Sequence, residues 1–141
     1  MRPRLDVKLW LIASLAVFVL ISITTYIARI IYFEPSVSAD AAGTTDSMAR
    51  LWVYLGRLVF SVMFAYVYTW GIGMKAAWME GLRYGFWILL LISVPTFFHN
   101  LVMTKIPTEE AFFQMLHTGV EALLCGILVG WIYKPKAPAA A

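Results

Sequence analysis

The sequence contains too few cysteines for thiol chemistry. Its 141 residues include a single cysteine, Cys125, which lies in an apolar stretch. One thiol cannot form an intramolecular disulfide or pass oxidising equivalents to a second thiol, and thiolate metal sites need several cysteines. The count excludes quinone-linked disulfide oxidases and thiol-based metal sites, and Cys125 is interpreted as a small packing residue.

Charged residues are scarce as well. They make up 13% of the chain, whereas 62% of the residues are hydrophobic, and soluble domains carry about 25% charged residues. The net charge of +3 is interpreted as a sign of membrane threading and attraction to anionic lipid. No nucleic-acid-reading module, Walker loop, nucleophile elbow, HExxH or dinucleotide glycine pattern occurs. The composition therefore indicates that a lipid bilayer surrounds the chain.

Four apolar stretches are long enough to cross a bilayer, which takes about 20 helical residues. None alternates with a period of two residues, and unpaired backbone groups are costly in lipid, so helices are favoured over barrel strands. The sequence predicts one all-α membrane domain over residues 1–141, an antiparallel bundle of four transmembrane helices. The spans are expected at about 9–32, 51–74, 84–103 and 111–133, with a polar outer loop over 33–50 and a frayed tail over 134–141.

Basic residues near the span ends predict how the chain is threaded. Seven fall on one side and three on the other: Arg2, Arg4, Lys8, Lys75, Arg83, Lys134 and Lys136 against Arg29, Arg50 and Lys105. Because cytoplasmic segments carry the excess of Lys and Arg, both termini are expected in the cytoplasm, and the inner membrane of a cell is the expected location.

One acidic residue, Glu121, interrupts the fourth span close to the bilayer midplane. A carboxylate at that depth needs a partner or a proton. Polar residues recur every three or four positions on its helix, and a similar stripe on the second helix includes Tyr54 and Arg57. An ion pair between Arg57 and Glu121 is the leading hypothesis. In the alternative, Arg57 extends to the outer surface and Glu121 stays protonated against a hydroxyl.

The third span ends with further polar residues, His99 and Asn100. Reflecting the last two helices about the turn near Pro107 places His99 almost level with His117, as axial haem ligands require. Adjacent helices pack 8 to 10 Å apart, which leaves little room for a porphyrin. No cofactor is therefore expected, with haem held by His99 and His117 as the alternative.

Small residues repeat every four positions on the fourth helix, at Ala122, Gly126 and Gly130. Such stripes allow membrane helices to approach closely. They are interpreted as packing sites inside the bundle, or else as contacts with a partner chain.

Three short segments carry a resemblance: EGLRYG, the IP turn and GWIYKP. With these segments the chain resembles small uncharacterised four-helix proteins of bacterial inner membranes. The resemblance covers the third and fourth helices and implies no activity. Small multidrug exporters differ, because their essential acid lies in the first helix.

Three classes of function are compatible with these patterns. The first is a helper, assembly or structural subunit, or a small oligomer, without chemistry of its own; its partners would be lipid and copies of the chain or a larger membrane complex. The second is a proton-coupled transporter or channel-forming oligomer that uses Glu121. The third is a membrane enzyme or small-ligand binder that uses an intramembrane polar cluster of Tyr54, Arg57, His99, Asn100, His117 and Glu121.

Overall fold

The computed structural model describes residues 6–32, 47–71, 76–104 and 107–133, and all but a few terminal residues of these ranges are helical. The elements are α1 (Val7–Tyr32), α2 (Ser47–Tyr68), α3 (Ala77–His99) and α4 (Thr108–Ile132), with a π-helical turn over Asn100–Thr104 between α3 and α4. Most of the predicted loop over 33–50 and the whole predicted tail over 134–141 lie outside the described residues.

Each of the four helices is long and apolar enough to cross a membrane. The candidate spans are Val7–Ala28, Leu51–Tyr68, Ala77–Val102 and Thr108–Ile132. Large apolar side chains are exposed on every helix, among them Leu15, Leu58, Leu91 and Trp131. In a bilayer these side chains contact lipid instead of water. The prediction of an all-helical multi-pass membrane protein is thereby confirmed for the described part of the chain.

The third helix starts earlier than the sequence predicted. Residues 75–83 were expected to form a turn before a span beginning at 84, whereas α3 begins at Ala77. Met79, Glu80 and Leu82 are good helix formers, so local propensity already favours helix there. Gly81 is an unfavourable helix residue, but it packs directly against α4. As a result, Glu80 belongs to a transmembrane helix instead of a turn.

The chain forms two compact units, Met1–Val67 and Tyr68–Ala141. In the first unit, α1 buries Ala13, Val17 and Ile21, which recur every four residues along one face. The Trp10 indole Nε1–H donates a hydrogen bond to the Val62 carbonyl oxygen at 3.2 Å. This bond ties α1 to α2 and gives the indole N–H, the donor, a partner inside the apolar region.

The second unit is built around the α3–α4 hairpin, in which the two backbones touch. A β-carbon added to Gly85 would lie 2.5 Å from the Ala122 carbonyl oxygen, and one added to Gly126 would lie 2.9 Å from the Gly85 Cα atom. A β-carbon added to Gly130 would lie 3.1 Å from the Gly81 Cα atom. Side chains larger than hydrogen are therefore excluded at these glycines without separating the helices.

Farther along α3 the regular helix is interrupted. Pro95 lies inside the helix, where it removes one backbone donor and its ring pushes against the preceding turn. The π-helical turn follows five residues later, and the Asn100 backbone N–H points to both the Thr96 and the Phe97 carbonyl oxygens. Single π-helical turns are often found at functional sites. This end of the hairpin, called here the Pro107 end, is therefore the less regular one.

Candidate functional site

The predicted polar cluster is divided between the two units, and Tyr54 and Arg57 belong to the first. The Arg57 guanidinium carbon lies 5.7 Å from the centroid of the Tyr54 ring, within the range of a cation–π interaction. Tyr54 is exposed and Arg57 is half-buried. One turn later on α2, the Ser61 hydroxyl donates a hydrogen bond to the Arg57 carbonyl oxygen at 2.7 Å. The guanidinium thus lies beside an aromatic ring of its own helix.

In the second unit, a chain of hydrogen bonds joins the Pro107 ends of α3 and α4. The Asn100 side-chain amide donates to Gln114 Oε1 at 2.8 Å, and Gln114 Nε2 donates to Glu110 Oε1 at 3.4 Å. Helical side chains lean toward the N-terminus of their own helix, so those of Asn100 and Gln114 lean toward each other. Glu110 lies in the first turn of α4, where the helix dipole favours an acid.

The two histidines have different surroundings. The His99 side chain is exposed, whereas His117 is half-buried and engaged in contacts. Within the described parts of the chain, no three His, Cys, Asp or Glu side chains are grouped so that they could hold a metal ion. Because Asn100 and not His99 makes the hydrogen bond to α4, haem ligation by His99 and His117 gains no support from the geometry.

Glu121 lies half-buried in the middle of α4, one helical turn from the buried Cys125. Its side chain lies close to the Cys125 thiol, as expected for side chains four residues apart on a helix. Arg57 belongs to the first unit and Glu121 to the second, and their ion pair stays a prediction.

The three small residues singled out in the sequence all face α3. Ala122 presents its carbonyl oxygen to Gly85, Gly126 packs on Gly81 and Gly85, and Gly130 packs on Gly81 and the Ala77 carbonyl oxygen. The stripe is therefore occupied by the neighbouring helix of the same chain. Its role is to bring the α3 and α4 backbones together.

A second polar group, at the opposite end of the hairpin, was missed from the sequence. Glu80 is buried, with 9% of its surface exposed, in the first turn of α3. Its side chain lies close to the hydroxyl of Tyr68, the buried last residue of α2. The Tyr68 ring meets the Tyr84 ring edge-on at 5.2 Å and the Tyr133 ring at 5.7 Å between centroids. Glu80, Tyr68, Tyr84 and Tyr133 are called here the tyrosine cluster.

The spacing of Glu80 and Tyr84 was the available signal for this cluster. Residues four apart share one face of a helix, so a helix continued back to Ala77 places the acid and the phenol together. The sequence interpretation instead assigned tyrosines at span ends to the membrane interface, where they are common. Tyr84 and Tyr133 are half-buried against another ring, which identifies them as packing residues as well.

Comparison of the chain with models of protein families, with characterised proteins and with solved structures found no match. The polar groups described above do two things: they join helices, and they place two carboxylates, Glu80 and Glu121, inside transmembrane helices.

Proposed function

We propose that the protein is a structural or assembly subunit of a membrane complex, either a homo-oligomer or a larger assembly, without catalytic chemistry of its own. The observation that carries this proposal is the backbone-to-backbone packing of α3 on α4 at Gly81, Gly85, Gly126 and Gly130. Such packing makes a stiff hairpin, which suits a part that presents fixed surfaces to other membrane helices.

The polar side chains support the same proposal. The hydrogen bonds from Asn100 to Gln114 and from Gln114 to Glu110 connect helices or successive helical turns. The Arg57 guanidinium lies beside an aromatic ring of its own helix. Groups used in this way stabilise a scaffold, and an enzyme would instead direct an acid, a base and a nucleophile toward one reacting atom.

We further propose that the protein lies in the inner membrane with both termini in the cytoplasm. The excess of basic residues on the terminal side of the spans supports this threading. A reporter fused after Lys136 should be active only as a cytoplasmic reporter. A cysteine introduced at Thr45 should react with an impermeant thiol reagent added from outside, and labelling from the opposite side alone would reverse the assignment.

The test of the subunit function is the mass and composition of the particle extracted in a mild detergent. We expect a particle of defined stoichiometry, heavier than the 15.9 kDa chain after correction for detergent by light scattering. Gly126→Leu should dissociate it, whereas Gly56→Ala should leave it intact, since a β-carbon at Gly56 meets nothing within 4 Å. A monodisperse monomer at all concentrations would contradict the proposal.

The competing function is proton-coupled transport through Glu121. It predicts that purified protein in liposomes conducts protons under an imposed gradient and that Glu121→Gln abolishes the flux without changing assembly. A structural role predicts no flux from the wild-type protein, and a loss of stability or association in the variant. A Glu121-dependent proton current would replace the subunit proposal.

A further inference from the structure

The beginning of the α2 span is exposed on every side. The candidate span starts at Leu51, and each residue from Leu51 to Gly56 is exposed. Arg57 is half-buried, and Ser61, one turn later, is fully buried. The first turns of this span therefore face the surrounding membrane, and packing within the chain begins only farther along the helix.

The Arg57 side chain runs back along this exposed stretch, toward the start of the helix. Its guanidinium carbon lies 5.7 Å from the centroid of the Tyr54 ring, and Tyr54 precedes Arg57 by nearly one turn. This is the direction in which helical side chains lean. The Arg57 backbone lies about 9 Å beyond Leu51 along the axis, but Tyr54 lies only about 4.5 Å beyond it. The positive charge is thus brought toward the level of the lipid headgroups, where tyrosine is also common.

The helices of the first unit offer this charge no carboxylate. Neither α1 nor α2 contains Asp or Glu. The contact with the Tyr54 ring is a cation–π interaction, which attracts the cation without neutralising it and takes none of its N–H donors in a strong hydrogen bond. These donors therefore remain for an acceptor from outside the two helices.

We propose that Arg57 binds the phosphate of a phospholipid in the leaflet where α2 begins, and that Tyr54 is the positioning residue that directs the guanidinium toward the headgroups. Phosphates are the anionic acceptors that surround an exposed helix at this depth. A guanidinium fits two phosphate oxygens with two parallel N–H···O bonds. The inference goes beyond the proposed subunit function, because a scaffold does not require a bound lipid.

Binding a phosphate and pairing with Glu121 are alternative uses of one guanidinium. Glu121 lies more than about 15 Å along α4 from either end of that helix, whereas a lipid phosphate lies at the membrane surface. With a bound phosphate, the stability losses of Arg57→Gln and Glu121→Gln should be additive. A coupling between them in a double-mutant cycle would overturn the lipid site.

Native mass spectrometry of the delipidated protein, in a sugar detergent that contains no phosphate, tests the site directly. The protein is titrated with phosphatidylglycerol, with diacylglycerol of the same acyl chains, and with glycerol phosphate. We expect the first phosphatidylglycerol to bind at least about tenfold more tightly than the other two, because hydrogen bonds to charged groups contribute that much or more. Equal binding of diacylglycerol would mean that phosphate is not recognised. Equal binding of glycerol phosphate would assign the site to a free phosphate, and either result would overturn the proposal.

Variants locate the binding at Arg57. Arg57→Gln should weaken the first phosphatidylglycerol by about tenfold, and Arg57→Lys should weaken it less, because lysine keeps the charge but not the planar fork. Arg83→Gln is the matched control, because Arg83 is an exposed arginine of α3, and it should leave this affinity unchanged. Tyr54→Leu should weaken binding, whereas Tyr54→Phe should retain it, since phenylalanine keeps the ring.

Wild-type affinity in both Arg57 variants, or an equal loss in Arg83→Gln, would overturn the proposal. Far-UV circular dichroism checks that each variant folds, and Arg57→Lys alone decides if Arg57→Gln does not. Equal losses in Tyr54→Leu and Tyr54→Phe would contradict the positioning role of the ring. Release of a co-purifying protein from the Arg57 variants, with lipid affinity unchanged, would assign the guanidinium to a partner's carboxylate and would also overturn the lipid site.

Discussion

The two ends of the α3–α4 hairpin are held together by different means. Toward the beginning of α3, glycines place backbone against backbone, and the Gly85 position leaves only 2.5 Å between a hypothetical β-carbon and the Ala122 carbonyl oxygen. At the Pro107 end, the helices are joined by long side chains, with Asn100 bonded to Gln114 at 2.8 Å. The helix is regular where the glycines pack, whereas Pro95 and the π-helical turn interrupt it toward the Pro107 end.

The difference shows two ways in which membrane helices associate without a hydrophobic driving force between them. Close backbone contact depends on many short-range contacts and tolerates no added volume. Side-chain hydrogen bonds span a larger gap and can adjust when the backbone moves. The glycine end should therefore respond steeply to added volume, and the Pro107 end should respond mildly to loss of a polar group.

The largest effect is expected for Gly126→Leu. The new side chain would overlap the Gly81 carbonyl group and the Gly85 backbone, and backbone atoms cannot rotate away. Overpacking of this kind costs more than about 3 kcal/mol when the surroundings cannot adjust. Unfolding of the purified protein by SDS titration, followed by far-UV circular dichroism, measures the loss. A stability within 1 kcal/mol of wild type, by the same principle, would show that the hairpin is looser than described.

The second largest loss of stability is expected for Glu121→Gln, if Arg57 and Glu121 form an ion pair. Removing one member leaves an uncompensated cation in the membrane, and a loss of about 1 to 3 kcal/mol is expected because both groups are only half-buried. The double variant Arg57→Gln with Glu121→Gln should be more stable than the single Glu121→Gln. A double-mutant cycle in folded yield and SDS titration checks this, and purely additive losses would argue against the pair.

A smaller effect is expected for Asn100→Ala at the Pro107 end. It removes the hydrogen bond to Gln114, and such bonds between membrane helices contribute about 0.6 to 2 kcal/mol. Gln114→Ala should lose a similar amount, and the double variant should lose little more than either single one. Thr96→Ala is the matched control, because the Thr96 hydroxyl bonds to the Ile92 carbonyl oxygen of its own helix.

The smallest effects are expected where a glycine meets a side chain or nothing. A β-carbon at Gly119 would lie 2.9 Å from Leu89 Cδ1, the end of a flexible side chain, so Gly119→Ala should change stability by less than about 1 kcal/mol. Gly56→Ala should be neutral or stabilising by up to about 1 kcal/mol, since alanine is the better helix former. The same SDS titration ranks both against Gly126→Leu, and equal losses at all three sites would remove the distinction between the two kinds of contact.

Hydrophobicity and length were enough to predict the four helices, because each apolar stretch must pair its own backbone groups in lipid. The start of α3 was not predicted, since Glu80 and Arg83 made the segment before residue 84 resemble a surface turn. Glu80 is tolerated in the helix next to Tyr68, a residue of another helix. Sequence periodicity within one helix gives no information about such a neighbour.

The polar contacts were predictable only near the turn. If residues at equal distances from Pro107 in the sequence are assumed to face each other, Asn100 pairs with Gln114, and these two side chains do form a hydrogen bond. The same assumption pairs Gly81 with Tyr133, whereas Gly81 packs on Gly126. Because Gly130 also packs on Gly81, the error is three to seven residues, or about one to two helical turns. Depth estimates made from the turn therefore fail at the far end of the hairpin, where the tyrosine cluster lies.

The contact between Gly81 and Gly126 also restricts how the sequence can change over time. When an interface residue becomes larger, a second substitution that makes its neighbour smaller can often restore the packing. Glycine faces glycine here, and no amino acid is smaller, so this kind of compensation is closed to both positions. A lineage that acquired a side chain at either residue would have to move the two helices apart, and every contact along the hairpin would change with them.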